Sequence, residues 1–362
     1  MTTNVSSIER EPDSPAEAAS RPARVTVIVP CRNEEGYIGP CLDSILATTH
    51  PASALEVLVV DGGSTDATRA AVGDYARRYP TVRLLDNPRG IVPAALNQGI
   101  RAATGDVIVR MDAHVVYPPD YIPRLVAALE ASGADNVGAT IRTLPARPGP
   151  VARAVATALA HPFGVGNSHF RIGTQEPRWV DTVPFGCYRR EVFSRIGLFD
   201  EALIRNQDDE FNHRLLRRGG RILLVPEVSA YYYARPSFST LARMYYQYGR
   251  FKPLVAKKVG RVMTWRQLVP PVFVLALIGL AALAPFWRTA AALWGLVAAS
   301  YGLAVLIAAL PVALAQGVRS GLALGAAFPL LHVSYGAGFL VGLGDLLWRR
   351  APVDPATVPL SR

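Results

Sequence analysis

Four short apolar runs, each followed by a polar turn and a stretch of helical periodicity, constrain this chain more than any other feature. They are VTVIVP (Val25 to Pro30), LEVLVVD (Leu55 to Asp61), VRLLDN (Val82 to Asn87) and VIVRM (Val107 to Met111). Runs this short and this apolar read as strands covered on both faces. Between them lie helical segments, the first with Leu42, Ile45 and Leu46 spaced for one buried face and a later one around PAALNQGIRAATG. Strand and helix alternating in this order predict an α/β fold with a parallel, doubly wound sheet. Such sheets bind ligands beyond the carboxyl ends of their strands.

The residues at those strand ends carry chemistry. The first strand runs into CRNEEGYI. The second ends on Asp61 and enters GGSTDAT, where Gly62 and Gly63 let backbone approach a ligand and Ser64 or Asp66 can cap the next helix. The fourth ends on Asp112-Ala113-His114. A carboxylate and an imidazole at a strand end can hold one divalent metal. A surface Asp followed by a chance His is the plainer alternative, and this segment alone does not choose between them. Glu34 and Glu35 also suit the start of a helix, where acids are favoured.

Five segments, VTVIVPCRNEE, VLVVDGGSTDAT, ALNQGIRAATGDVIVRMDAH, VPFGCYRREVFSRIGLFDE and NQDDEFNHRLLRRGG, follow one another between Val25 and Tyr233. In this order they resemble the inverting family 2 glycosyltransferases of GT-A fold, and among those the succinoglycan-type exopolysaccharide glucosyltransferases. The resemblance implies a UDP-sugar donor. It sets Pro30, Arg32, Glu34 and Asp61 around the uracil and ribose, with Gly63 beside them and Arg89 and Asn97 near the sugar or phosphates. It makes Asp112 and His114 the ligands of Mn2+ or Mg2+. The family motif reads Asp-x-Asp, so His114 departs from it, and imidazole tilts the site toward manganese. A further alternative has Asp112 alone on the metal and His114 on a phosphate.

Aligning Arg214 with the Arg of the family's Glu-Asp-x-Asp pattern puts Asp208 on the catalytic base. Gln207 then replaces the preceding Glu, Glu210 falls on the second Asp, and Asp209 lies between the two acids. The competing reading is that Asp208, Asp209 and Glu210 merely favour a helix N-terminus. Gln247, Arg250 and Phe251 in SFSTLARMYYQYGRFKP resemble the Gln-x-x-Arg-Trp motif of membrane polysaccharide synthases, with Phe for Trp. Arg250 would then pair with the donor diphosphate. An amphipathic interfacial helix with a snorkelling Arg explains the same residues. His161, His169 and His213 read as ordinary satisfied or solvated histidines, and HPFGVGNSHF as a flexible loop near the acceptor.

The remaining sequence points to a membrane. Among 362 residues, 38 Lys and Arg face 28 Asp and Glu, a net charge of +10. No nucleic-acid motif is visible, and Lys252, Lys257, Lys258, Arg261 and Arg266 gather just before an apolar third, which favours an anionic lipid surface. Three cysteines at unpatterned spacing indicate neither a disulfide framework nor a zinc site, and fit a reducing compartment. The expected organisation is a disordered tail over 1–23, rich in Ser, Glu, Pro and Ala and unlike a signal peptide. A GT-A domain over 24–235, an amphipathic interfacial region over 236–266, a transmembrane region over 267–350 and a tail over 351–362 come after it. The three apolar stretches run from Leu268 to Phe286, Ala290 to Ala315 and Gly321 to Trp348.

The basic cluster places the catalytic domain in the cytoplasm of a multi-pass cell-membrane protein. Three spans leave Arg349 and Arg350 outside, which the same rule disfavours, and Pro270, Pro271, Pro285 and Pro311 would permit a re-entrant stretch. Gly336, Gly338, Gly342 and Gly344 suit close helix packing. The sheet domain is expected to need nothing from the apolar third in order to fold. Partners implied are a UDP-sugar, a polyprenyl-linked saccharide acceptor, the bilayer and other polysaccharide-assembly enzymes, with no nucleic acid. Rivals are a processive synthase, an enzyme acting directly on polyprenyl phosphate, and an inactive nucleotide-sugar-binding scaffold.

Overall fold

A computed structural model describes residues 22–260 and 264–348. Nearly all of the tail expected over 1–23, all of that over 351–362, and Arg261, Arg349 and Arg350 lie outside the described residues. In chain order the strands are β1 (Val25–Cys31), β2 (Leu55–Asp61), β3 (Val82–Asp86), β4 (Val107–Arg110), β5 (Val115–Val116), β6 (Asn136–Leu144), β7 (Arg178–Trp179), β8 (Cys187–Arg189) and β9 (Ile222–Tyr233). The helices are α1 (Ile38–Leu46), α2 (Thr68–Arg78), α3 (Val92–Ala102), α4 (Tyr121–Ser132), α5 (Pro150–Ala158), α6 (Pro162–Val165), α7 (His169–Ile172), α8 (Glu191–Ile196) and α9 (Gln207–Arg217). Four more follow among the described residues: α10 (Phe238–Val259), α11 (Val269–Leu283), α12 (Arg288–Gln316) and α13 (Val318–Leu347).

The four apolar runs are the first four strands, within one residue at each end. Every residue of β1 is buried, because β2 and β4 flank it in parallel and helices cover both faces of the sheet. β3 adds in parallel beyond β2 as a half-exposed edge. The full order is β3-β2-β1-β4-β8-β6-β9-β5, with β7 also on β9. The second half is mixed: β8 runs antiparallel to β4 and β6, and β6 and β9 are parallel. β8 is only three residues long, Cys187–Arg189.

Among the described residues, the apolar third forms three helices long and apolar enough to cross a bilayer, Trp265–Leu283, Arg288–Gln316 and Val318–Leu347. Their outward faces are apolar and bare, with Leu275, Ile278, Leu296, Ile307 and Leu314 all exposed. Such faces are stable in hydrocarbon and unstable in water. α13 is the inner helix. A methyl group on Gly338 would overlap the Tyr246 carbonyl of α10, and one on Gly342 the Arg250 carbonyl, while Gly336 lies against Pro270 of α11. Gly344 meets only Trp348 of its own helix end.

Independent folding of the sheet domain is the expectation the structure does not support. Val155 and Leu159 at α5, Met244 on α10, and Leu324, Phe328 and Leu331 on α13 belong to the same buried cluster as β1 and β2. An apolar helix face reads the same in sequence whether lipid or protein covers it, and α13 is covered by protein along one side. The basic cluster is likewise engaged. Lys252 pairs with Asp209, Lys258 with Asp200 at 2.5 Å and Arg266 with Asp181 at 3.6 Å, which leaves Lys257 exposed.

Candidate active site

One cavity of about 740 Å³ opens along the carboxyl ends of β1, β2 and β4, passes the start of α9 and continues among α10, α11 and α13. At its first end lie Pro30, Arg32, Glu34, Gly62, Asn87, Gly90 and Ile91. The turn after β1 is tied to the turn after β2. Asn33 Oδ1 accepts from the Thr65 amide at 2.8 Å, and the Glu34 amide donates to Thr68 Oγ1 at 2.7 Å. The Gly62 amide donates to the Cys31 carbonyl at 2.8 Å, and any side chain there would press on Gly90. Close approach of three backbone segments explains Gly62 and the Gly90 that faces it.

Asp61 is wholly buried behind this wall. It accepts from the Ser64 hydroxyl at 2.5 Å and amide at 3.2 Å, and from Arg69 at 2.8 Å. Burial alone would raise its pKa, but Ser64 and Arg69 outweigh that and hold the carboxyl below its usual range. Gly63, at φ +76°, shapes the same turn.

Asp112 and His114 follow β4 and line the middle of the cavity. His114 Nδ1 lies 3.2 Å from Glu34 Oε1, and the imidazole meets the edge of Tyr232 at 5.4 Å between centroids. A carboxylate on one ring nitrogen is the usual support for a metal ligand that uses the other. The Asp112 amide donates to the Tyr117 hydroxyl at 2.7 Å, while its Oδ1 accepts from Arg110 at 3.0 Å. Among the described residues no three His, Cys, Asp or Glu side chains cluster as a metal cage. A two-residue donor set fits an Mg2+- or Mn2+-like ion that takes its remaining ligands from diphosphate and water.

Asp208 sits in the first turn of α9, also on the cavity. The buried Arg110 bridges it to Asp112, and the Arg110 guanidinium lies 5.9 Å from the Phe185 ring. Burial at the helix start pushes the Asp208 carboxyl above its ordinary value. The Arg110 charge opposes that shift, and the nearby Asp112 and Asp209 charges reinforce it. The described non-glycine residues with left-handed backbone are Asn33, Phe185 and Asn206. Two of them, Phe185 and Asn206, line this cavity, and backbone strain concentrates where side chains are held for use.

The structure thus brings Pro30, Arg32, Glu34, Asp112, His114, Asp208 and Asp209 onto one surface. It sets other candidates elsewhere. Glu210 is buried in a two-point pair with Arg214, which also holds the Leu198 carbonyl at 2.7 Å. Asn97 clamps α3 to the chain at Phe199 through two bonds of 2.9 Å. Arg89 pairs with Glu201 at the surface. Arg250 pairs with Asp345 of α13 at 2.8 Å, and Gln247 accepts from Arg205 at 3.1 Å. Neither Gln247 nor Arg250 lines the cavity; both are held in polar pairs between α10 and its protein neighbours, which matches neither a diphosphate contact nor a snorkelling Arg.

Arg110, Arg171, Arg205, Arg235 and Lys252 also line the cavity, and the sequence patterns point to none of them as site residues. Arg110 alone carries a signal: a cation inside an apolar strand run must meet countercharge when buried. HPFGVGNSHF, read as a loop, carries the two short helices α6 and α7. Its His161 caps α6, with Nδ1 accepting from the Phe163 amide at 3.1 Å.

The family model described as Glycosyl transferase family 2 matches residues 26–197. Over 334 residues the chain is 32% identical to the succinoglycan biosynthesis protein ExoA of Rhizobium meliloti (strain 1021), covering 90% of this chain and 96% of that protein. A Methanococcus voltae enzyme is 26% identical over 242 residues, 65% of this chain and 74% of its own. It is named dolichyl N-acetyl-alpha-D-glucosaminyl phosphate 3-beta-D-2,3-diacetamido-2,3-dideoxy-beta-D-glucuronosyltransferase. Among solved structures, the mannosyltransferase PcManGT of Pyrobaculum calidifontis, in complex with GDP-Man and Mn2+, aligns with a TM-score of 0.59 and 24% identity, covering 92% of this chain and 89% of that one. That likeness shows the GT-A fold. Near-complete coverage at 32% identity, on a fold that brings Asp112 from a strand end and Asp208 from the start of α9 into one cavity, makes this chain a member of glycosyltransferase family 2.

Proposed function

We propose that the protein transfers a sugar, with inversion, from a UDP-sugar to a saccharide carried on a polyprenyl-type lipid, in the synthesis of an exopolysaccharide. The observation that carries this reading is the single cavity. It begins at strand-end residues suited to a nucleotide, passes Asp112 and Asp208, and ends among Trp265, Phe273, Tyr301 and His332 beside the bare apolar helices. A donor soluble in water and an acceptor anchored in lipid can meet there without either leaving its phase. The M. voltae relative, named for a dolichyl-linked acceptor, and the succinoglycan relative support the acceptor class.

In this reading Arg32 and Glu34 face the nucleotide, with the turn after β2 packed behind them. Asp112 and His114 would hold a divalent ion. Such an ion, when bound, offsets the charge that grows on the departing diphosphate. Asp208 takes the proton of the acceptor hydroxyl as its oxygen attacks the anomeric carbon opposite the diphosphate. Arg110 keeps the carboxylate aimed into the cavity. The three apolar helices cross the cell membrane, and basic residues at the end of α10 set the sheet domain on the cytoplasmic side.

UDP release by the full chain in lipid nanodiscs tests this. Across a panel of sugar nucleotides, a UDP-sugar is expected to be turned over, and adding lipid-linked saccharides extracted from exopolysaccharide-producing cells should raise the rate at least about tenfold, a conservative share of what positioned acid–base catalysis supplies. Faster turnover of a GDP-sugar would move the donor, as the nucleotide held by the fold neighbour makes worth testing. A rate indifferent to lipid-linked saccharide would remove the acceptor.

A further inference from the structure

Among the described residues, seven cationic side chains line the cavity against four carboxylates. Arg110 and Lys252 are matched to the acids across from them, and Arg266 pairs with Asp181. Arg171 and Arg235 are different. Arg235, at the foot of α10, is 7% exposed, and its Nε is buried without a hydrogen-bond partner. Arg171, on α7, has a buried Nη1 that is also unpartnered, and its guanidinium lies 5.4 Å from the Phe170 ring and 5.6 Å from the Tyr232 ring. Aromatic faces soften the cost of such charges but do not satisfy their N–H groups. Arg205 lies near Arg235, and the charges of all three arginines act on the Tyr248 hydroxyl. The burial of Arg205, together with the adjacent Arg235 charge, holds its guanidinium below the ordinary value. Buried N–H groups without partners, such as those of Arg171 and Arg235, are costly to keep. They are stable where an anion with several oxygens completes them, and phosphate is the anion the guanidinium fork fits best.

We infer that Arg171 and Arg235, with Arg205 beside them, form a clamp for the phosphate or diphosphate that joins the acceptor saccharide to its lipid. This rests on the lipid-linked acceptor proposed above. The donor diphosphate has its own site in that reading, at Asp112 and His114. The clamp is instead built from α7, the foot of α10 and the chain before α9, with the Tyr232 ring in contact with both Arg171 and His114. A head group held there presents its sugar toward Asp208 while its chain leaves between α11 and α13.

Binding of undecaprenyl phosphate and of undecaprenol to the full chain in detergent tests the clamp without any need for transfer. Wild type is expected to prefer the phosphate at least tenfold, and the Arg171→Gln/Arg235→Gln double variant to lose that preference. UDP affinity, measured on the same sample with Mn2+ present, should stay within about twofold, which also reports that the variant is folded. The double variant Arg171→Lys/Arg235→Lys, which keeps the charge, should recover part of the preference. Equal binding of alcohol and phosphate by wild type overturns the clamp, as does retained preference in the Gln variant. A loss confined to UDP affinity overturns it too and assigns the arginines to the donor. If no sugar nucleotide supports transfer, the functional reading fails, while the phosphate preference still answers for the clamp.

Discussion

Replacing Asp208 by Asn is expected to lower turnover on the order of 10²–10⁴-fold, the range for a missing general base, with UDP-sugar affinity unchanged. The amide keeps the shape of the carboxyl and cannot take the acceptor's proton. The donor end of the cavity, at Arg32, Glu34 and Gly62, shares no side chain with α9. The same carboxyl fixes the pH dependence. Burial raises its pKa above the ordinary carboxylate value, so the base form is present at high pH and is lost as pH falls through the raised value. The kcat profile of wild type should therefore show an acid limb on the alkaline side of an ordinary aspartate. Arg110 lowers that pKa, so Arg110→Gln should move the limb further up. Wild-type turnover in Asp208→Asn would pass the role to Asp209, whose pairing with Lys252 argues against it.

Removing the divalent ion is the second large effect. A chelator in excess, or Asp112→Asn, should cost on the order of 10²–10³-fold in kcat, comparable with loss of one group that stabilises developing charge. Mn2+ should restore the chelated enzyme at least as well as Mg2+, because the imidazole of His114 joins the carboxylate of Asp112. His114→Asp should retain activity and move the preference toward Mg2+. Full activity in excess chelator would contradict the metal role of both residues. The hydrogen bond between His114 and Glu34 makes a further readout available. Glu34→Gln should lower Mn2+ affinity roughly 10- to 100-fold, as loss of a carboxylate behind a metal-bound histidine does.

Much of this site is written in strand ends. The runs that became β1, β2 and β4 are apolar on both faces, which fixes them as central strands, and the turns leaving parallel central strands all emerge on one edge of the sheet. Asp112 is legible for that reason, Asp208 through the resemblance of NQDDEFNHRLLRRGG to the family pattern, and the three apolar stretches for their length. Long-range side-chain pairing was not legible. Asn97 reads as a polar residue on a helix near a ligand, yet it clamps Phe199, more than 100 positions away. Arg250 matches a phosphate-binding pattern, yet it meets Asp345 on the last helix. Asp61 ends its strand as expected, and only the positions of Ser64 and Arg69 bury it behind the wall. Arg171 and Arg235 lie in unremarkable segments, and their convergence depends on how α7 and α10 close over the sheet. The shared core between the sheet and α13 escaped the sequence because apolar periodicity does not say what covers a face.

Transfer of a radiolabelled sugar from its UDP-sugar to lipid, by the full chain in nanodiscs with lipid-linked saccharide present, is the most direct measurement. Label should enter the organic phase, with the anomeric configuration opposite to that of the donor, and Asp208→Asn should leave it in water. Label that remains in the aqueous phase with wild type, as free sugar or on a soluble oligosaccharide accepted equally well, would contradict a site built to join a soluble donor to an acceptor held in the bilayer.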